Sequence, residues 1–262
     1  MSVPPVFFHC FRVPLPYVRT LALQEQLHAL QLTQRRSSAH KDILLLLQHR
    51  PVYTAGRRQL SDSPEVQADE ARLKRIGADF ITTKRGGQYT YHGPGQIVGY
   101  PLLDLGRTSP PMGIREYICR IQKTLTSHLS EAHNIPTIPS DNTGVFLDEH
   151  TKIASIGVQV RHRLTSHGFA INVTSEPVKW FEEVVACGLT DVKAGNIAEA
   201  TRSMSVIEVE GEMDQLVQRF GQVFERDMVK LDLESDVECG EAIRAVEEEA
   251  RKAGEWLHTP LR

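Results

Sequence analysis

The chain has 262 residues, 40% of them hydrophobic, with 30 Lys and Arg against 33 Asp and Glu. That length holds one large domain or two small ones, and with no Pro/Ser-rich or low-complexity linker a single domain is expected. Balanced charge without a long basic block argues against a nucleic-acid partner, and the longest apolar run, Ile43 to Leu47, is far too short to span a bilayer, so a soluble protein is expected.

Arg12 and Arg19 precede the first acidic residue, Glu25, a weak likeness to a transit peptide in a segment rich in proline. Leu23, Leu27 and Leu30 then mark a first helix. Ile43 to Leu47 has strand length, Pro51 to Arg57 reads as a loop, and Phe80 to Lys84 leads into a glycine-rich hairpin whose returning strand is Gln96 to Leu103. Ile114, Ile118, Ile121, Leu125 and Leu129 repeat at helical spacing. Val145 to Leu147 and Ile153 to Val160 flank Asp148 to Lys152 as a second hairpin, with the lysine at the mouth of its second strand. Gly168 to Val173 is another strand, Val178 to Val185 a short helix, and Met213, Leu216, Val217, Phe220 and Phe224 one face of a longer one. Beyond Asp232 the chain is acidic and helical, with Ile243, Val246 and Ala250 on one side. Strands and helices without a regular βαβ rhythm predict an α+β fold over a doubly wound one. The domain is expected over residues 1–232, with 233–262 as a C-terminal extension of no assigned function.

The stretch Arg85-Gly86-Gly87-Gln88-Tyr89-Thr90-Tyr91-His92-Gly93-Pro94-Gly95-Gln96 concentrates glycine, a cation and a histidine where backbone approaches a ligand closely. Gly86-Gly87 and Gly93-Pro94-Gly95 read as two turns flanking a strand, Gln88 to Tyr91. The four cysteines, Cys10, Cys119, Cys187 and Cys239, form no Cys-x-x-Cys pair and no cluster at zinc-ligand spacing. Neither structural zinc nor a disulfide framework is expected, and single thiols point to a reducing compartment.

The glycine-rich stretch resembles the signature of the lipoyl (octanoyl) transferases. The resemblance continues in order through Lys152-Ile153-Ala154-Ser155-Ile156-Gly157-Val158, His167-Gly168-Phe169-Ala170-Ile171-Asn172-Val173 and Ala186-Cys187-Gly188-Leu189, with an earlier glycine turn at Pro51 to Arg57. It implies a single catalytic domain of the biotin/lipoate protein ligase type, an α+β fold with a mixed, mostly antiparallel sheet flanked by helices. It also implies catalytic roles for Cys187 and Lys152, and substrate-binding roles for Arg85, Gly86, Gly87, Gln88, Tyr89, Thr90, Tyr91, His92, Ser155, Ile156, Gly157, His167, Gly168, Phe169 and Ala170. Ser155 departs from the alanine often found at its position. Thr165-Ser166 resembles eukaryotic members, which implies the mitochondrial matrix, with the cytoplasm as the alternative for a bacterial protein.

On this reading Cys187 accepts an acyl group from octanoyl-acyl carrier protein and passes it to a lysine of a lipoyl domain of a 2-oxoacid dehydrogenase or of the glycine-cleavage H protein. No ATP and no metal is expected, because thioester exchange is nearly balanced and thioester to amide runs downhill. An ammonium about 4 Å from the sulfur supplies roughly 4 kcal/mol at an effective dielectric near 20, before desolvation is subtracted. That would favour the thiolate by nearly three pKa units at about 1.4 kcal/mol each. Backbone N–H groups around Gly157 and Gly168 are candidate oxyanion donors, and Ile156, Phe169 and Ala170 candidate walls of an acyl tunnel. Taken singly, Cys187 reads as a small buried residue, Lys152 as a solvated one, and His92 and His167 as satisfied polar groups. Two alternatives stay open: an ATP-dependent lipoate or biotin protein ligase, and an acyl-protein binding module without turnover.

Overall fold

The apolar run becomes β2 (Asp42–Leu47), every residue of which is buried. It lies at the centre of a large sheet covered on both faces, and this is why it reads as a continuous hydrophobic stretch and not as an alternation. Ile43, Leu45 and Leu47 face one layer of helices, Leu44 and Leu46 the other. The computed structural model describes residues 3–59, 63–184, 188, 190–201 and 207–262.

In spatial order the large sheet runs β10 (Lys193–Ala194), β8 (Thr151–Arg161), β9 (Leu164–Asn172), β6 (Gln96–Leu102), β2, β1 (Val6–Cys10) and β11 (Met228–Lys230), with β7 (Val145–Asp148) paired to β8. Its long ladders, β8 with β9, β9 with β6 and β6 with β2, are antiparallel; β1 runs parallel to β2 and to β11. Helices α3 (Ile114–His133) and α6 (Val209–Phe224) cover one face, and α1 (Tyr17–Arg35) and α7 (Val237–Lys252) the other. Of the apolar residues expected to line the helix after residue 114, Ile121, Leu125 and Leu129 join Tyr117 in the buried stripe of α3, Ile118 is partly buried and Ile114 is exposed at the first turn; the helix ends at Asn134 in the left-handed conformation. The acidic C-terminal segment is amphipathic as α7, with Ile243, Val246 and Ala250 buried against α1.

A small sheet stands beside the large one, ordered β4 (Asp79–Thr82), β3 (Val52–Ala55), β5 (Thr90–His92), and packs on α2 (Pro64–Arg75) and α4 (Glu176–Phe181). A short α5 (Ile197–Ala200) follows β10. Two expectations are corrected here. The Pro51 to Arg57 loop contains β3. The glycine-rich hairpin does not form: β5 pairs with β3, while β6 pairs with β2 and β9, so Gly93-Pro94-Gly95 carries the chain from one sheet to the other. Although the chain has no regular βαβ rhythm, β1-α1-β2 and β3-α2-β4 each join parallel neighbours through a helix.

Candidate active site

The site grows from the β8–β9 ladder, where Ser155 stands opposite Ala170, Ile156 opposite Phe169, Gly157 opposite Gly168 and Val158 opposite His167. The loop between β4 and β5 folds down onto it, Gly86 N–H donating to Val158 O at 3.1 Å. Arg85 organises that loop from inside. Its guanidinium donates to Thr54 O at 2.7 Å, Thr54 Oγ1 at 2.7 Å, Gln88 O at 2.8 Å and Gly86 O at 3.0 Å, a spread of acceptors that a planar fork satisfies and a lysine would not. Its first effect is therefore to fix the loop's shape, and its second to place a buried positive charge beneath the pocket.

That charge and burial set the state of the histidines. Gln96 Nε2 donates to Tyr91 O at 3.2 Å and to Asn172 Oδ1 at 2.8 Å, so its Oε1 must accept from His92 Nδ1–H at 2.7 Å, leaving His92 Nε2 as the acceptor nitrogen. Burial lowers the His92 pKa to about 4, opposed by the Gln96 hydrogen bond and helped by Arg85. Burial, then Arg85, then His92 lower His167 to about 3. His49, fully buried, is pushed down by the same desolvation; its Nδ1–H donates to Leu15 O at 3.1 Å and its Nε2 accepts from Tyr100 Oη at 2.6 Å. All three are neutral near pH 7, which suits them to hold and orient and unsuits them to donate a second proton.

Two cavities meet at the Ser155/Ala170 pair. The smaller, about 50 Å³, is lined by Tyr17, Arg85, Gly86, Gly87, Thr90, His92, Val98, Tyr100, Ser155, Ile156, Gly157, His167, Gly168, Phe169 and Ala170; as it stands it has room for a few waters only. The larger, about 580 Å³, has the size of a small-molecule site. Tyr89, Gln96, Lys152, Ile153, Ser155, Ala170, Asn172, Val178, Phe181 and Thr190 contribute to its wall. A track thus leads from Lys152 along β8 and β9 to Arg85.

Lys152, second residue of β8, is buried. Its ammonium donates to Thr143 O at 2.9 Å and lies 5.4 Å from the centre of the Phe146 ring. A further chain of bonds ties its backbone to the histidines: Lys152 O accepts from Gly195 N, Gly195 O from Asn172 Nδ2, and Asn172 Oδ1 from Gln96. Cys187, with Ala186 and Leu189, lies outside the described residues. Thr190 lines the cavity with Lys152, and a Cβ on Gly188 would lie 1.9 Å from Gln88 Oε1.

Most of the residues expected in the pocket converge there, but Gln88 lines neither cavity and lies against Gly188. Tyr91 does not line either cavity. It is fully buried in the small sheet's core, stacked on Trp180 with ring centres 5.3 Å apart, because β5 turns its side chain toward α4. Gly157 and Gly168 have a packing reason to be glycine: a Cβ on Gly168 would lie 2.1 Å from Gly99 O, and one on Gly157 3.0 Å from Gly86 O. Gln96 and Asn172 were not singled out, though both stand inside the quoted motifs. Tyr17, Tyr100 and Phe181 carried no local signal.

Among the described residues one group brings three metal-type ligand atoms within 4.8 Å of one another, His128, His133 and Glu212, remote from this pocket on α3 and α6. Both imidazole Nε2 atoms lie at hydrogen-bond distance, 2.6 and 2.7 Å, from one carboxylate oxygen, so the three groups satisfy one another.

The histidines give the protein a pH signature. Each is held neutral in the fold but takes a proton near pH 6.5 when unfolded, so the unfolded chain binds more protons as pH falls below 6.5. Their contribution is complete above that value and is lost toward pH 4 and 3, at about 1.4 kcal/mol per pH unit for each histidine. Urea denaturation at pH 7.5 and pH 5 is expected to show a marked fall in midpoint, reduced in His167→Asn, whose residue type tolerates the positive φ of 57° at that position. Equal midpoints would contradict the assignment.

Comparison with known proteins finds relatives along most of the chain. The profile of the lipoyl protein ligase A/B catalytic domain matches residues 16–221. An octanoyltransferase of Koribacter versatilis is 35% identical over 217 residues, covering 81% of this chain and 84% of the relative. The mitochondrial octanoyl-[acyl-carrier-protein]:protein N-octanoyltransferase of Danio rerio is 40% identical over 168 residues, 62% of this chain and 71% of the relative. Among solved structures, a bi-partite lipoate protein ligase from Thermoplasma acidophilum matches with TM-score 0.62 at 14% identity, covering 100% of this chain and 98% of that one, a likeness of fold.

Proposed function

The chain belongs to the lipoyl protein ligase A/B catalytic-domain family, and from that premise we propose that it is an octanoyltransferase working through a thioester on Cys187. The observation that carries this reading is similarity to octanoyltransferases across four-fifths of the chain, at 35% and 38% identity in two bacterial relatives. The buried ammonium of Lys152 beside a cavity of substrate size supports it.

The donor is octanoyl-acyl carrier protein. The Cys187 thiolate attacks the thioester carbonyl, the carbon–sulfur bond to the carrier breaks, and the carrier thiolate leaves and takes a proton. A lysine amine of a lipoyl domain, in a 2-oxoacid dehydrogenase or the glycine-cleavage H protein, then attacks the acyl-enzyme. The amide forms, the bond to Cys187 breaks, and the proton shed by the amine returns to the sulfur. Lys152 assists both steps by stabilising the thiolate as nucleophile and as leaving group. The acyl chain lies in the larger cavity from Lys152 toward Ser155 and Ala170, with the loop held by Arg85 and the neutral His92 and His167 closing its far end. Burial of an eight-carbon chain at about 0.8 kcal/mol per methylene supplies several kcal/mol of binding. We place the reaction in the mitochondrial matrix of a eukaryote, or in the cytoplasm if the chain is bacterial.

Neither step needs ATP, and this separates the reading from a ligase of the same fold. Purified protein incubated with octanoyl-acyl carrier protein and apo-lipoyl domain, without ATP, is expected to add one octanoyl group to the domain. Modification only with free octanoate and ATP would identify a ligase, and no modification under either condition a binding module.

A further inference from the structure

The family profile ends at residue 221, yet the chain's last residues return to the site. Arg50 receives the end of α7, donating to Ala253 O and Gly254 O at 2.6 Å each, and its guanidinium lies 5.4 Å from the Trp256 ring centre. From there the tail crosses the small sheet's helices. Leu257 packs into their core so closely that a Cβ on Gly77 would lie 2.1 Å from its Cδ1, and Leu261 N–H donates to Ile76 O at 2.9 Å. Between these two anchors His258 O accepts from Trp180 Nε1 at 3.3 Å, and the His258 ring meets Glu176 at 2.8 Å.

Glu176 and Trp180 both belong to α4, whose Val178 and Phe181 wall the large cavity and whose chain leads on to Cys187. Trp180 is fully buried, with its carbonyl held by Tyr53 Oη at 2.6 Å and its ring stacked on Tyr91. A six-residue helix has little stability of its own and takes its position from what packs on it. On one side that is the small sheet. On the other it is the C-terminal strap.

The geometry points to residues 254–262 as a positioning element for substrate recognition: the strap clamps α4 through Trp180 and Glu176 and so fixes the wall that the acyl group meets. This rests on the octanoyltransferase reading for the identity of the substrate but not for the clamp. Because the strap bears on α4, which carries Val178 and Phe181 to the cavity wall, its release changes acyl recognition more than turnover.

The test uses Leu257→Asp in the full chain carrying Trp256→Phe, which leaves Trp180 as the only tryptophan of the two in the sequence. Leu257→Met and a chain ended after Gly254 are the companions. Release of the strap is expected to redden Trp180 emission and raise its acrylamide quenching, with far-ultraviolet circular dichroism unchanged. KM for octanoyl-acyl carrier protein is expected to rise about tenfold with kcat within about twofold, and the preference for octanoyl over hexanoyl and decanoyl donors to flatten. Leu257→Met restores all of these. Unchanged quenching, or exposed Trp180 with unaltered KM and chain-length preference, overturns the proposal. Should the parent protein transfer nothing, the functional reading fails by itself, and Trp180 quenching together with equilibrium binding of octanoate in the same variants decides the strap's role.

Discussion

Lys152→Ala is expected to lower octanoyl transfer by about 10²- to 10⁴-fold, the range lost with a proton-handling or charge-stabilising group, while the protein stays folded. Among the described residues the side chain donates to Thr143 O and lies against Phe146, contacts worth about 1–3 kcal/mol on removal. Its surroundings are shaped for an ammonium on a straight stem. Gly144, at φ 138°, packs against that stem so tightly that a Cβ there would lie 2.5 Å from Lys152 Cε. A guanidinium is wider, so Lys152→Arg keeps the charge and still loses most of the activity. Steady-state transfer assays beside thermal unfolding check both variants. Activity within a factor of about two of the parent in Lys152→Ala, with unaltered unfolding, would remove the lysine from the mechanism.

Glu212→Ala is expected to have the largest effect on stability, about 3–5 kcal/mol, because it breaks a buried charged cluster and leaves its partners behind. Glu212 joins α6 to α3 through His128 and His133. Burial raises its pKa, but the two histidine hydrogen bonds outweigh this and hold the carboxyl down at about 2. Once the carboxylate is gone, two imidazoles between helices lose their acceptor. Replacing all three groups by leucine is expected to recover most of the loss, since no orphaned polar group then remains. Urea denaturation of the two variants separates the cost of breaking the cluster from its net worth; equal stability of Glu212→Ala and parent would show that the cluster ties nothing.

The elements legible in the sequence are those whose burial writes a pattern. β2 is covered on both faces and α3 on one, and each carries the corresponding run or stripe. α2 writes no such pattern, because only Val66 and Leu73 of its twelve residues are buried, too thin a stripe to register. The glycine-rich segment misled in a different way. Gly93-Pro94-Gly95 has the chemistry of a hairpin turn, and nothing local tells a turn that closes a hairpin from one that changes sheets. In the site, the residues that stood in contiguous motifs were visible together with their order, whereas the support around them was not. The Gln96 and Asn172 side chains are linked across 76 residues, Asn172 to the Gly195 backbone across 23, and Glu212 meets His128 across 84. Such pairings are fixed by packing, not by spacing. Tyr91 shows the converse: it sits within the motif yet serves the core beneath it.

The thioester on Cys187 is the centre of the account, and intact-protein mass spectrometry tests it most directly. The protein is mixed with octanoyl-acyl carrier protein in the absence of ATP, with Cys187→Ser as control. A single octanoyl adduct, absent from the variant and discharged by apo-lipoyl domain, is the predicted result. Transfer to the domain by a protein that never carries the adduct, or by Cys187→Ser at the parent's rate, would contradict it.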